Sequence, residues 1–142
     1  MCSAAGVLAY TDTHVLLGYN QSKNRWESLG GVVEIGEDPF TTACREFVEE
    51  SCYIVCDIDS IMQQMSKFYI EDQRSNVQYR TYFFKFNTKN DNVTTLYNIL
   101  KNTKQFPGCC IEMQQLKWFP KSVLCDGSLI HAIDSNSVRY IL

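Results

Sequence analysis

The chain predicts an α/β sandwich, a sheet covered by helices, on three observations. Short apolar runs of strand-forming residues open it, at residues 3–10 (SAAGVLAY) and 15–19 (VLLGY). An amphipathic helix occupies the middle, beginning at Asp38 or Pro39 and stopping at Cys52 or just beyond. Apolar residues at helical spacing close the chain, in Leu124, Leu129, Ile130, Ile133, Val138 and Ile141. Strands and helices that are each apolar on one side bury those sides by stacking in layers.

Composition sets the outer bounds. A length of 142 residues, 45% hydrophobic with three prolines, describes one compact domain spanning 1–142 rather than a disordered chain. No apolar run approaches the roughly 18 residues of a membrane span, and no charged-then-apolar leader opens the sequence, so an intracellular, cytoplasmic protein is expected. The net charge of −3 argues against a strongly basic nucleic-acid surface. It leaves room for a small nucleotide whose charge a metal ion neutralises. The seven cysteines are odd in number and contain no C-x-x-C pair, which favours reduced, buried thiols. Cys52 and Cys56 have no second pair to complete a zinc site.

In chain order, the first two runs form a hairpin around the polar cluster Thr11-Asp12-Thr13-His14, with His14 solvated in the turn. Residues 21–25 are a polar loop, followed by Trp26 and the pair Gly30-Gly31, where a backbone carbonyl can approach a ligand closely. Pro39 suits the first turn of the central helix, as do acids near its positive end. Glu46, Glu49 and Glu50 then fall within an arc of roughly 100°, opposite Phe40, Cys44, Phe47, Val48 and Ser51. A solvated face normally interleaves basic residues at i,i+4, yet only Arg45 stands so, four before Glu49. Clustered carboxylates are tolerable where a hard divalent cation neutralises them.

Beyond the helix, residues 53–58 and 61–70 read as strands, 71–76 as a polar turn, and 77–86 as a strand rich in β-formers. On that last strand Tyr82, Phe84 and Phe86 share one face and Tyr79 takes the other. Residues 87–104 read as an insertion, a polar loop and a short helix turning Leu96, Ile99 and Leu100 inward, which either lines a pocket or connects strands. Pro107-Gly108 marks its end. Residues 110–120 form a late strand carrying Glu112, and 122–142 supply one or two packing helices in which His131 is structural.

The stretch from Gly31 to Tyr53 resembles the Nudix box, G-x5-E-x7-R-E-U-x-E-E-x-G-U with U a bulky apolar residue. Gly31, Glu37, Arg45, Glu46, Phe47, Glu49 and Glu50 stand in its register, while Cys52 and Tyr53 replace the final glycine and aliphatic residue. The resemblance implies the Nudix fold, a mixed β-sheet sandwiched between α-helices. It also implies a pyrophosphohydrolase using Mg²⁺, with Mn²⁺ as substitute. Glu46, Glu49 and Glu50 would hold the metal with the Gly30 carbonyl, and Glu112 would supply a further contact or a base. Either Glu46 or Glu37 would be the general base. Arg45 would orient a glutamate through a charge-assisted hydrogen bond, and Glu34 would be a peripheral ligand or, the favoured reading, simply exposed.

Substrate choice lies outside the box. Trp26, Phe68, Tyr69 and Tyr82 are the candidates to stack on a base. Tyr69, sixteen positions after Tyr53, resembles a marker of the dinucleoside polyphosphate branch, and the proline common in ADP-ribose members is missing from its vicinity. The expected partner is a small nucleotide, a nucleoside triphosphate or dinucleoside polyphosphate, ahead of an RNA cap. Decapping or diphosphoinositol hydrolysis stays open should Lys67, Lys85, Lys89, Lys101 and Lys104 cluster, and a catalytically silent nucleotide-binding module is the reading from another class.

Overall fold

The structure, a computed structural model, describes residues 3–51, 54–89, 92–103 and 113–142. Glu112, Cys52 and Tyr53, as well as Lys104 and Pro107-Gly108, lie outside those residues.

Strand β1 (Ala4–Tyr10) is the centre of a mixed sheet. Its apolar sequence suits a strand covered on both faces and paired on both edges. One edge runs parallel to β6 (Val77–Lys85) from Ala4 opposite Tyr79 to Tyr10 opposite Lys85. The other edge is divided between two antiparallel partners. β4 (Leu29–Val32) takes Ala4 to Val7, and β2 (His14–Asn20) takes only Ala9 and Tyr10. From there β2 swings away to pair with β3 (Arg25–Glu27) on one edge and β7 (Met113–Pro120) on the other. The sheet therefore opens as a wedge between β1 and β2, with β4 along one lip and β3 along the other. The hairpin expected at the start is present; His14 begins β2 instead of sitting in the turn, its ring bonded to Thr13 Oγ1 at 2.8 Å.

The period of two along β1 separates two cores. Ala5, Val7 and Ala9 face α1 (Pro39–Glu50), joining Phe40, Ala43, Cys44, Phe47 and Val48 with Tyr82 and Phe84. Leu8 faces the other way, with Val15, Leu17 and Phe83, against Leu124 of a 3₁₀ helix (Lys121–Leu124), Ile133 of the following segment, and Val138 and Ile141 of α4 (Ser135–Ile141). Phe47 is fully buried, a burial worth roughly 2–3 kcal/mol. The layers expected from the sequence are thus present. His131 is structural as expected: Nε2 meets the Leu124 carbonyl at 3.1 Å and Nδ1 accepts from Ile133 N at 3.1 Å.

Several elements differ from expectation. The described part of 53–58 is not a strand, and the first half of 61–70 is helical. Asp57 accepts from Ser60 N at 2.8 Å and starts α2 (Ile58–Gln64), which buries Ile61 under α1. A short apolar run is ambiguous between strand and helix, and the aspartate cap decides it. β5 (Tyr69–Arg74) then consumes most of the expected turn, leaving only Ser75 and Asn76, at φ +48° and +71°, to make the hairpin to β6. Two consecutive left-handed residues are what a tight two-residue hairpin turn demands. β5 lies at the sheet edge, where charged side chains discourage pairing with another chain.

The helix in the 87–104 stretch is α3 (Val93–Thr103), but it buries Val93 and Tyr97 in place of Leu96 and Ile99, which are exposed. The Tyr97 hydroxyl donates to the Met113 carbonyl at 2.9 Å and Thr94 Oγ1 to the Leu116 carbonyl at 2.8 Å, pinning α3 along β7. Of the described cysteines, Cys44 is buried, Cys56 half-buried and Cys125 exposed, all free; the expectation of uniform burial fails at Cys125. Burial pushes the Cys44 and Cys56 thiols up to about 12, which makes them packing groups rather than nucleophiles. Among the described residues no helix is long and apolar enough to cross a membrane.

Candidate active site

Helix α1 starts where the sequence marks it. Asp38 accepts from Thr41 N at 2.8 Å and Pro39 fills the first helical position, where its missing N–H costs nothing. At the other end Ser51 closes the helix at φ −90°, its hydroxyl donating to the Phe47 carbonyl at 2.7 Å. The helix is held against β4 with its glutamates at the wedge.

Arg45 is the hub of that arrangement. Its Nε and Nη2 donate to the two oxygens of Glu37 at 2.8 and 3.0 Å, and its Nη1 donates to Glu46 at 3.0 Å and Glu49 at 3.3 Å. Glu34, whose side chain is exposed as expected, stands 3.7 Å from Nη2. One planar guanidinium thereby fixes three carboxylates, a task that the point charge of lysine performs less well. The Arg45 bonds, aided by the Thr42 hydroxyl at 2.6 Å, hold the Glu37 carboxyl down at about 2, and the same bonds push Arg45 upward.

This pair makes acid stability predictable. Glu37 has its carboxyl lowered from an ordinary 4.5, so the unfolded chain binds the extra proton. The stabilisation is complete above pH about 4.5 and is lost as pH falls toward about 2; it is on the order of 2 kcal/mol after allowance for solvent. Thermal melts from pH 6 to 2.5 should show that loss for the native chain and a weaker dependence for Glu37→Gln.

Glu50 is not on a solvated face. It is 6% exposed, and its Oε1 accepts from Gly30 N at 2.7 Å, tying the end of α1 to β4. Glu46 lies against Gly31 so closely that a Cβ there would come within 2.5 Å of its carboxyl carbon. A Gly31→Ala change meets the far end of a movable side chain, so the fold survives while the carboxylate shifts. Such a displacement costs about 100-fold in turnover, with a small change in melting temperature, as steady-state kinetics beside a thermal melt would show. At Gly30 a Cβ would meet backbone, the Ala5 carbonyl at 2.5 Å and Gly6 Cα at 2.6 Å, and also the Tyr79 hydroxyl at 2.3 Å. The pair Gly6 and Gly30 makes room for Tyr79, whose hydroxyl burial pushes up to about 12.

The wedge forms a cleft of about 540 Å³, a volume suited to a small molecule. Gly30, Gly31, Glu34 and Glu46 line one side; Lys23, Arg25, Glu27, Arg74 and Tyr79 contribute from the turn before β3, from β3 itself, and from the β5–β6 hairpin. None of these last five is among the sequence candidates for the site. Their signal was faint: an arginine and an acid two residues apart on a strand, in Arg25/Glu27 and Asp72/Arg74, which pair at 3.0 and 2.9 Å.

The aromatic candidates lie elsewhere. Trp26 turns into the second core, edge-on to Phe119 at 4.6 Å between centroids, and Tyr82 is buried beside Phe40. Tyr69 sits under Arg80 at 4.1 Å, and Phe68 stacks on Tyr140 at 5.0 Å. Lys67 lies over the Phe40 ring and Lys85 pairs with Asp12, so neither joins the cleft lining.

Among the described residues no three acidic, histidine or cysteine side chains already stand together as a metal cluster. Glu37, Glu46 and Glu49 are instead gathered around the Arg45 guanidinium. The donor chemistry nevertheless fits a hard divalent cation, since Glu46, Glu49 and Glu50 offer oxygens from one flank of α1. The missing Cβ of Gly31 keeps space against the Glu46 carboxylate.

A family model for the NUDIX domain matches residues 2–137. No curated protein sequence matches at a significant level. The chain resembles a solved C. elegans Ap4A hydrolase binary complex with a TM-score of 0.58 at 20% identity, over 84% of this chain and 80% of that one. It resembles a bifunctional NMN adenylyltransferase/ADP ribose pyrophosphatase from Francisella tularensis, complexed with AMP and a Mn ion, at 0.59 and 14% identity, over 99% of this chain but only 36% of that one. A NUDIX family hydrolase from Clostridium perfringens aligns at 0.54 and 19% identity, over 97% and 91% of the two chains. At such identities the structural likeness speaks for the fold.

Proposed function

We propose, since the chain belongs to the Nudix family and is a hydrolase acting on phosphoric anhydride bonds, that it cleaves the diphosphate linkage of a nucleoside diphosphate joined to another group. A nucleoside triphosphate or dinucleoside polyphosphate is the favoured substrate. The observation that carries this reading is the Arg45 hub, which sets Glu46 beside Gly31 at the edge of a cleft bearing Lys23, Arg25 and Arg74. The solved Ap4A hydrolase of similar fold supports the same substrate class.

Family members generally use a divalent metal. Here Glu46, Glu49, Glu50 and the Gly30 carbonyl are proposed to hold Mg²⁺, with Mn²⁺ as substitute. Bound there, such an ion would withdraw charge from the phosphate oxygens and lower the pKa of a water. Glu46 would take the proton of the attacking water as the new P–O bond forms, while the bridging P–O bond breaks with its electrons leaving on the departing phosphate. Glu37 is the poorer base, because a carboxyl held at about 2 is a weak proton acceptor at neutral pH and both its oxygens are engaged by Arg45. Glu37 and Arg45 act instead by fixing Glu46. Cytoplasmic action belongs to the same proposal, supported by the free thiols of Cys44, Cys56 and Cys125.

The test is product analysis by mass spectrometry after incubation, with and without Mg²⁺, with nucleoside triphosphates, dinucleoside polyphosphates, ADP-ribose, a capped RNA and a diphosphoinositol phosphate. Metal-dependent cleavage of the first two classes is expected. Cleavage confined to the capped RNA or the inositol phosphate would move the substrate, and no cleavage with Mg²⁺ shown to bind would make the chain a silent nucleotide-binding module.

A further inference from the structure

We infer that Tyr79 is a positioning residue for the glutamate flank, on the reading that a divalent cation binds there. Its hydroxyl, set against Gly6 and Gly30, locks Gly30 so that the N–H of that residue holds Glu50 and its carbonyl stays on the open edge of β4.

The ladder between β1 and β4 fixes which way Gly30 points. Val33 N donates to the Ser3 carbonyl at 3.0 Å, and antiparallel pairs alternate between bonded and unbonded. Ala5 with Gly31 and Val7 with Leu29 are therefore bonded pairs, and Gly6 with Gly30 is an unbonded one. In an unbonded pair the N–H and the carbonyl of each residue both point away from the partner strand. Gly30 N accordingly leaves β1 and meets Glu50 Oε1 at 2.7 Å, on an edge of β4 that no further strand covers among the described residues. The Gly30 carbonyl shares that edge with the Glu50 carboxylate.

Unbonded pairs are also where two backbones come closest, and here both members are glycine. Tyr79 stands on β6 opposite Ala4, and its side chain reaches across β1 to the glycine pair, where a Cβ on either residue would collide with the hydroxyl. The hydroxyl thus touches β1 and β4 at once, at the residue of β4 that engages Glu50. The outer side of the phenol is held down as well. Arg74 lies 3.9 Å over the ring, and its Nε is clasped at 2.9 Å by Asp72, which stands opposite Tyr79 on β5. Without the hydroxyl, Gly30 gains room on its own face of the sheet, and a glycine has the backbone freedom to use it. Movement there displaces the N–H and the carbonyl together. The contribution of Tyr79 is to hold that one backbone unit still.

The experiment compares Tyr79→Phe with the native full chain in two measurements. In metal-free protein, hydrogen exchange of the Gly30 amide, followed by NMR, should quicken at least tenfold in the variant, while amides of the β2–β7 ladder change by less than about twofold. Titration with Mn²⁺, followed by its electron paramagnetic resonance signal, should show affinity about tenfold weaker. Tyr97→Phe removes a buried hydroxyl that bonds the Met113 carbonyl, away from the cleft, and should leave both readings at their native values. Gly30 exchange that stays at the native rate, or rises only in step with the β2–β7 ladder, would overturn the positioning role, as would native Mn²⁺ affinity in Tyr79→Phe. A native chain that binds no Mn²⁺ would instead remove the cation reading itself, and the role of Tyr79 with it. If Tyr79→Phe does not fold, Arg74→Gln decides in its place. Lifting the guanidinium off the ring should quicken Gly30 exchange about threefold against the ladder, and no change would overturn the role. Neither measurement uses turnover, so both judge Tyr79 even in a protein that hydrolyses nothing in the substrate panel.

Discussion

Glu46→Gln should lower kcat by about three orders of magnitude while leaving the melting temperature nearly unchanged. The amide keeps an oxygen for Arg45 Nη1, now 3.0 Å from the Glu46 carboxylate, and loses only the charge and the basicity. Glu50→Gln makes the cleaner companion. Its amide oxygen can still accept from Gly30 N, so the tie between α1 and β4 persists and the loss reads the negative charge alone. The two variants should differ in kind. Glu50→Gln should raise the Mg²⁺ concentration needed for half-maximal rate, whereas Glu46→Gln should stay slow at saturating Mg²⁺. Rates matching the native chain in both variants would remove the metal and base assignments together.

What the sequence made legible follows from how local each signal is. Helix α1 was readable because its cap, its proline and its apolar face are all contained in one short stretch, in register with the box glutamates. The strands β1, β2 and β6 were readable for the same reason, being runs of β-formers that need no distant partner to be recognised. Where two structures suit one run, the local signal failed. The runs 53–58 and 61–70 carry apolar side chains that suit strands, yet the Asp57 cap makes Ile58–Gln64 a helix. In α3 the inward face was misread because Tyr97 finds the Met113 carbonyl, a partner that the sequence pattern does not reveal. The cleft was least legible of all. Arg25, Arg74 and Tyr79 come from three strands and meet only because β1 pairs with β4 and β6 while β2 carries β3 away. The aromatic residues that looked available for a base are instead needed by the cores, as Tyr82 and Trp26 show.

Arg45→Ala should produce the largest combined effect, because it removes one group that serves three carboxylates. Leaving Glu37, Glu46 and Glu49 without their shared cation should destabilise the fold by about 2–3 kcal/mol, roughly 10 °C in melting temperature for a chain of this size. Turnover should fall by about 100-fold or more, since Glu46 loses the bond that sets its position. The pH dependence identifies the cause. In the native chain the Glu37–Arg45 contribution is present above pH about 4.5 and fades as pH drops toward about 2, the range over which Glu37 takes up its proton. In Arg45→Ala that contribution is missing at every pH, so the two melting curves should lie far apart at pH 7 and converge on acidification. Arg45→Lys keeps the charge but presents no fork, and it should recover part of the stability at pH 7 and little of the rate. A gap between native and Arg45→Ala that stays constant from pH 7 to 2.5 would mean that Arg45 stabilises by packing, and that the Glu37 pair does not hold the glutamate flank in place.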